Sequence, residues 1–275
     1  MAQNYSPIGI FDSGYGGLTI MREIVRKLPQ YDYLYLGDNA RAPYGNRSFE
    51  LVYRFTLEAV TYLFNQGCEL VILACNTASA KALRTIQQRD LPLLGPSKRV
   101  LGVIRPTVET IGSITKSGNI GVLGTAGTVA SESYTLEAGK LYPNYKVFEQ
   151  ACPMWVPLVE NKEYDSDGAD YFINKYITQL LAQSSDIDTV ILACTHYPLL
   201  MDKIRRRMHD NVTLLEQGSI VANSLNDYLI RHPEIKQRIS VSGNRQYLTT
   251  ENPEKFNEMA SIFMGDFIDA EHIEL

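Results

Sequence analysis

Short apolar runs rich in β-branched residues alternate along this chain with helix-length amphipathic segments. That alternation is the pattern of βα units around a largely parallel sheet. Strands are predicted at residues 8–11, 33–36, 70–74, 100–104, 120–123, 147–149, 189–194 and 212–215. Helices are predicted at 17–28, 48–66, 78–88, 168–183, 199–209 and 220–231; in the first of these Leu18, Met21, Ile24, Val25 and Leu28 recur at helical spacing. Near the end, 238–242 and 246–250 flank Gly243-Asn244 and read as a short hairpin, and the stretch from about Glu251 carries no motif.

One phrase occurs twice. Val71-Ile72-Leu73-Ala74-Cys75-Asn76-Thr77 and Val190-Ile191-Leu192-Ala193-Cys194-Thr195-His196 each end an apolar run in a cysteine followed by small polar groups. Ligands bind outside the carboxyl ends of strands in open α/β sheets, so each copy sets a thiol at such an end. The copies lie about one domain length apart. Turn-rich breaks at 94–99 and 205–211 read as crossings between domains. The expected fold is α/β with two similar domains, each a mainly parallel sheet flanked by helices. Residues 1–97 with 208–275 would carry Asp12 and Cys75; residues 98–207 would carry Glu160, Cys194 and His196. A site in the cleft between them would have one thiol on either side. That suits chemistry in which a proton leaves one face of a carbon and returns on the other.

Composition removes other classes. The chain has 275 residues, 45% hydrophobic and 21% charged, enough for one large domain or two ordinary ones. A net charge of −5 gives no basic stripe for nucleic acid, and the 17 tyrosines are not interleaved with basic clusters. Met1 to Tyr5 show no secretory pattern, and no apolar run approaches the roughly 20 residues that span a bilayer. The expectation is a cytoplasmic protein with reduced thiols, its four cysteines too scattered for a disulfide framework.

Four loops hold candidate chemistry. Asp12-Ser13-Gly14-Tyr15-Gly16-Gly17 leads from the first strand into a helix and offers N–H donors to an anion such as a carboxylate. It lacks dinucleotide and P-loop spacing, and by itself reads equally well as a glycine turn with a capping Asp. Pro43-Tyr44-Gly45 follows the second strand at the same sheet edge. Cys75 and Cys194 precede predicted helices, a setting that favours thiolates, and His196 lies two residues beyond Cys194. Cys68 reads as packing, Cys152 beside Pro153 is ambiguous, and Glu160 is a single carboxylate after an apolar run. Without paired cysteine spacing, neither structural zinc nor disulfide exchange is expected.

Taken together, the loop 12–17, Pro43-Tyr44-Gly45, Ala74-Cys75-Asn76-Thr77-Ala78, Cys152-Pro153 through Pro157-Leu158-Val159-Glu160, and Ala193-Cys194-Thr195-His196-Tyr197-Pro198 resemble the glutamate racemases of the aspartate/glutamate racemase family. The likeness runs from about Ile8 to the region of Gly218, and Cys-Thr-His-Tyr-Pro is similar to the glutamate branch in particular. It implies interconversion of L- and D-glutamate without cofactor or metal, supplying D-glutamate for peptidoglycan, by a homodimer. It further implies that Cys75 takes the α-proton from D-glutamate and Cys194 from L-glutamate, the opposite thiol reprotonating. Asp12 would assist Cys75; His196 and Glu160 would assist Cys194. Ser13, Pro43, Tyr44, Gly45, Asn76, Thr77 and Thr195, with Asp12 and His196, would hold the substrate. The chain departs from the pattern at Arg105, Thr107 and Glu216-Gln217-Gly218. Two other readings stay open: a racemase for aspartate, since one methylene is worth only about 1–3 kcal/mol of discrimination, and a binding protein, which would not need two opposed thiols.

Overall fold

A computed structural model of the chain describes residues 5–275; residues 1–4, part of the stretch read for a secretory pattern, lie outside the described residues. Strands β1 (Ile8–Asp12), β2 (Tyr33–Gly37), β3 (Leu70–Leu73) and β4 (Arg99–Gly102) pair in the order 2-1-3-4. Strands β5 (Asn119–Gly124), β6 (Lys146–Ala151), β7 (Thr189–Ala193) and β8 (Thr213–Leu215) form a second sheet in the order 6-5-7-8. One winding is therefore used twice. β3 and β7 are equivalent strands, and each is followed by one copy of the cysteine phrase. Two more strands, β9 (Arg245–Thr249) and β10 (Ala270–His272), extend the first sheet beyond β2. Every pairing is parallel. Helices cover both faces, so β1, β2, β3 and β7 are buried along their whole length.

The helices that frame the site are α1 (Gly17–Lys27), α2 (Phe49–Asn65), α3 (Asn76–Lys81), α4 (Ile104–Ile111), α5 (Ala126–Ala130), α6 (Ser133–Leu141), α7 (Trp155–Glu160), α8 (Asp167–Leu181), α9 (Gln217–Arg231) and α10 (Pro253–Met264). No helix among the described residues is long and apolar enough to cross a membrane.

The crossings between sheets fall later than the turn-rich breaks suggest. β4 pairs with β3, and β8 pairs with β7. The chain thus leaves the first sheet only after Gly102 and the second only after Leu215, because a turn marks chain reversal and not sheet membership. The expected helix at 78–88 is interrupted at Ala82: α3 stops at Lys81, and the helical path resumes at Leu83–Thr85, passes through the π-helical Ile86–Asp90 and ends at Leu94. The expected helix at 199–209 is a 3₁₀ turn, Tyr197–Leu200, followed by the short helix Met201–Arg205.

The hairpin does not form. Arg245–Thr249 pairs in parallel with β2, and 238–244 is an irregular loop. The buried Asp32 carboxylate organises that loop, accepting from Ser242 N (3.1 Å), Ser242 Oγ (2.9 Å) and Asn244 N (2.7 Å). These donors go to a side chain instead of a ladder. Beyond it, α10 is capped by Asn252, whose Oδ1 accepts from Glu254 N (2.8 Å), and it buries Phe256, Met259, Ala260 and Phe263 on one stripe.

Asp32→Ala removes the one buried acceptor that Ser242 and Asn244 share and should destabilise the protein by about 1–3 kcal/mol in urea unfolding. Turnover at saturating substrate should stay within about twofold, since Asp32 lies at the amino end of β2, away from the strand ends that face the cleft. Unchanged stability would refute the anchoring role.

Candidate active site

A cleft with about 640 Å³ of empty space lies between the sheets, its wall built from the segments that follow β1, β2, β3, β5, β6 and β7. The first half contributes Ser13, Pro43, Tyr44, Gly45, Cys75, Asn76 and Thr77. The second contributes Glu160, Cys194, Thr195 and His196. Of the candidate residues only Asp12 is not on the wall; it is buried directly behind it.

Cys75 ends the βα turn after β3 and caps α3. Its Sγ accepts from Ala78 N (3.4 Å) and lies 3.4 Å from Ser13 Oγ. Burial, and after it the Asp12 carboxylate, push this thiol up to about 12. Asp12 Oδ2 accepts from Gly14 N (2.9 Å), while Oδ1 is buried without a partner. Burial raises the Asp12 carboxyl, and the nearby His196 charge opposes the rise.

Cys194 has a different partner. Its Sγ is 3.8 Å from His196 Nδ1, and His196 Nε2 is 3.0 Å from Glu160 Oε1 at the end of α7. Burial alone would lower the imidazole. The hydrogen bonds to Cys194 and Glu160 outweigh it and raise His196 to about 10, favouring its protonated form. The two cysteines are thus equivalent in topology and unlike in surroundings, one beside a hydroxyl and a helix N-terminus, the other beside an imidazole held by a carboxylate.

The remaining candidates divide between wall and scaffold. Tyr44 lines the cleft, but its hydroxyl donates to Asp38, which also binds Arg41 Nε (2.7 Å) and Thr250 Oγ1 (2.9 Å). Its ring is therefore fixed and its hydroxyl committed. Thr77 Oγ1 reaches across the cleft to Thr125 Oγ1 (2.9 Å). The halves also meet at Gly16, where a Cβ would sit 2.2 Å from Thr195 Oγ1 and 2.6 Å from His196 Nδ1. Gly16 has an ordinary helical backbone (φ −59), so the requirement there is space alone.

Sequence reasoning missed Thr125, Val156 and Phe263. The first two line the cleft, and the Phe263 ring meets the His196 ring edge-on at 5.2 Å. Thr125 follows β5 as Ser13 follows β1, so strand equivalence could have found it. Phe263 carried only its place in a helical stripe. Cys152 also lines the cleft; burial raises its thiol well above the usual range, and its hydrogen-bond partner among the described residues is the Gln150 carbonyl.

The Asp/Glu/hydantoin racemase family model matches residues 8–225. The chain is 37% identical to the glutamate racemase of Geobacter metallireducens over 262 residues, covering 95% of this chain and 93% of that protein. In structure it is similar to a Bacillus anthracis glutamate racemase isoform, with a TM-score of 0.89, 35% identity and 98% of both chains covered. It is also similar to the Francisella tularensis glutamate racemase solved in complex with D-glutamate, with a TM-score of 0.87, 27% identity, and 98% and 97% covered.

Two substitutions test the geometry. Gly16→Ala should separate the halves at Thr195 and lower kcat/KM by about 10²-fold or more, with wild-type kinetics refuting the close approach. Glu160→Gln should let the His196 imidazole titrate closer to its ordinary value; an NMR titration of labelled histidine that still gives about 10 would show that Glu160 does not hold the proton there.

Proposed function

This chain belongs to the Asp/Glu/hydantoin racemase family, and we propose that it interconverts L- and D-glutamate without a cofactor by passing the α-proton between Cys75 and Cys194. The observation that carries this reading is the arrangement of two thiols, one from each half at equivalent strand ends, on the wall of one cleft. Binding alone needs no such pair.

Cys194 takes the α-proton of L-glutamate while Cys75, as a thiol, delivers one to the opposite face; the reverse reaction exchanges the roles. An amino-acid α-proton is far less acidic than an ordinary thiol. The burial that pushes Cys75 up to about 12 makes its conjugate base stronger and narrows the mismatch. His196, held by Glu160, keeps a positive charge beside Cys194, and Asp12 acts on Cys75 from behind the wall. Ser13, Asn76, Thr77, Thr195 and the backbone around Gly45 hold the ammonium and carboxylates. Oriented donors in a cleft that excludes water offset the cost of the carbanion. Closure of the halves about the crossings after Gly102 and Leu215 supplies that exclusion. On this reading the enzyme is a cytoplasmic homodimer that supplies D-glutamate for peptidoglycan.

The test is incubation with L-glutamate in D₂O without added cofactor. Optical rotation should fall to zero, and early D-product should carry α-deuterium while recovered L-glutamate does not. Cys75→Ser and Cys194→Ser should each lose racemisation by about 10³-fold or more. Neither rotation change nor exchange from the folded wild type would remove the glutamate assignment.

A further inference from the structure

Behind the cleft wall, at the first turn of α9, Gln217 joins a closed set of buried side chains. Its Oε1 accepts from Asn76 Nδ2 (2.6 Å) and its Nε2 donates to Tyr134 OH (2.8 Å) and Thr107 Oγ1 (2.9 Å). Tyr134 OH in turn donates to Asn76 Oδ1 (2.6 Å), and Thr107 Oγ1 donates to the Val103 carbonyl (2.7 Å). All four side chains are at most 3% exposed.

The direction of every bond follows from one fixed acceptor. The Val103 carbonyl can only accept, so the single Thr107 proton points at it and the Thr107 oxygen must receive from Gln217. That sets the Gln217 amide with its nitrogen toward Thr107 and Tyr134 and its oxygen toward Asn76. Asn76 must then present nitrogen to Gln217 and oxygen to Tyr134. A free Asn amide can turn either end toward a ligand; this one cannot. Among the described residues Asn76 Nδ2 donates to Gln217 alone, which leaves its second N–H free on a residue that lines the cleft.

We propose that Gln217 is a positioning residue: it locks the Asn76 amide so that the cleft always meets an N–H donor, the end that suits a substrate carboxylate. Gln217 touches no substrate itself. It belongs to the first half, whereas Tyr134 lies on α6 in the second, so the lock also needs the two halves in register. The kinetic test rests on the glutamate reading; the spectroscopic one does not.

In Gln217→Leu, KM for both enantiomers should rise about tenfold with kcat within about threefold, the pattern of an interaction made equally in the ground and transition states. Asn76→Ala should raise KM similarly, and adding Gln217→Leu to it should change KM by less than about twofold. If the KM effects of the two substitutions multiply, or KM is unchanged in folded Gln217→Leu, the lock is wrong; a purely structural glutamine would alter KM equally in both backgrounds. Gln217→Met, closer in shape, replaces Leu if that variant does not fold. Should the wild type not turn over glutamate, the functional reading fails and hydrogen exchange of the ¹⁵N-labelled Asn76 side chain still decides. At least tenfold faster exchange in Gln217→Met than in wild type supports the lock, and equal exchange overturns it.

Discussion

A parallel strand buried on both faces must hand its last backbone groups to whatever follows it, and both cysteines sit at that handover. After β3 the handover is a helix: Cys75 is its cap, and the sulfur itself satisfies the Ala78 N–H. After β7 no such helix begins. Cys194 is followed by Thr195 and His196 and then a 3₁₀ turn opened by Tyr197-Pro198. The second sulfur therefore takes its partner from a side chain, and that imidazole pairs with a carboxylate, Glu160, at the end of α7 after β6. The unlike chemistry of two equivalent positions comes from this one difference in how a strand ends.

The halves are joined by buried polar groups beside the cleft. Thr77 pairs with Thr125, Asn76 with Tyr134, and Thr19 Oγ1 shares its proton between the Gly16 carbonyl (2.8 Å) and the Thr195 carbonyl across the seam (3.1 Å). Thr77–Thr125, Asn76–Tyr134 and Thr19–Thr195 each cross between sheets, and each involves a residue on the cleft wall or beside it. A buried hydroxyl or amide left unpaired is costly, so these contacts favour one mutual placement of the halves more sharply than apolar packing would. Gly16 contributes by omission, leaving room for the first half's loop to reach Thr195 and His196.

Much of this was legible in the chain because it depends on local pattern. The repeated phrase marked both thiols, and the apolar runs located the first eight strands to within a few residues. What failed depended on partners distant in sequence. The segment 238–244 alternates like a strand but answers to Asp32, some two hundred residues earlier. Asp12, read from the same loop as Ser13, is buried and does not line the cleft. α10 lies in the stretch that carried no motif, and nothing in its sequence linked Phe263 to His196. Gln217 looked like a departure from pattern and proved to be the centre of a hydrogen-bond network.

The discontinuity of the first sheet also orders events in time. The strands of the second sheet, β5 to β8, lie within one stretch from Asn119 to Leu215, so this half can close as soon as that stretch has been made. The first sheet has its central strands early but must wait for β9 and β10, from Arg245 onward, to cover the far edge of β2. Phe263, the aromatic neighbour of His196, arrives in the same late segment. On a ribosome that emits the chain from its N-terminus, the half begun first is the half finished last. Until then the nascent protein carries an open parallel edge, a surface that other unfinished chains could pair with.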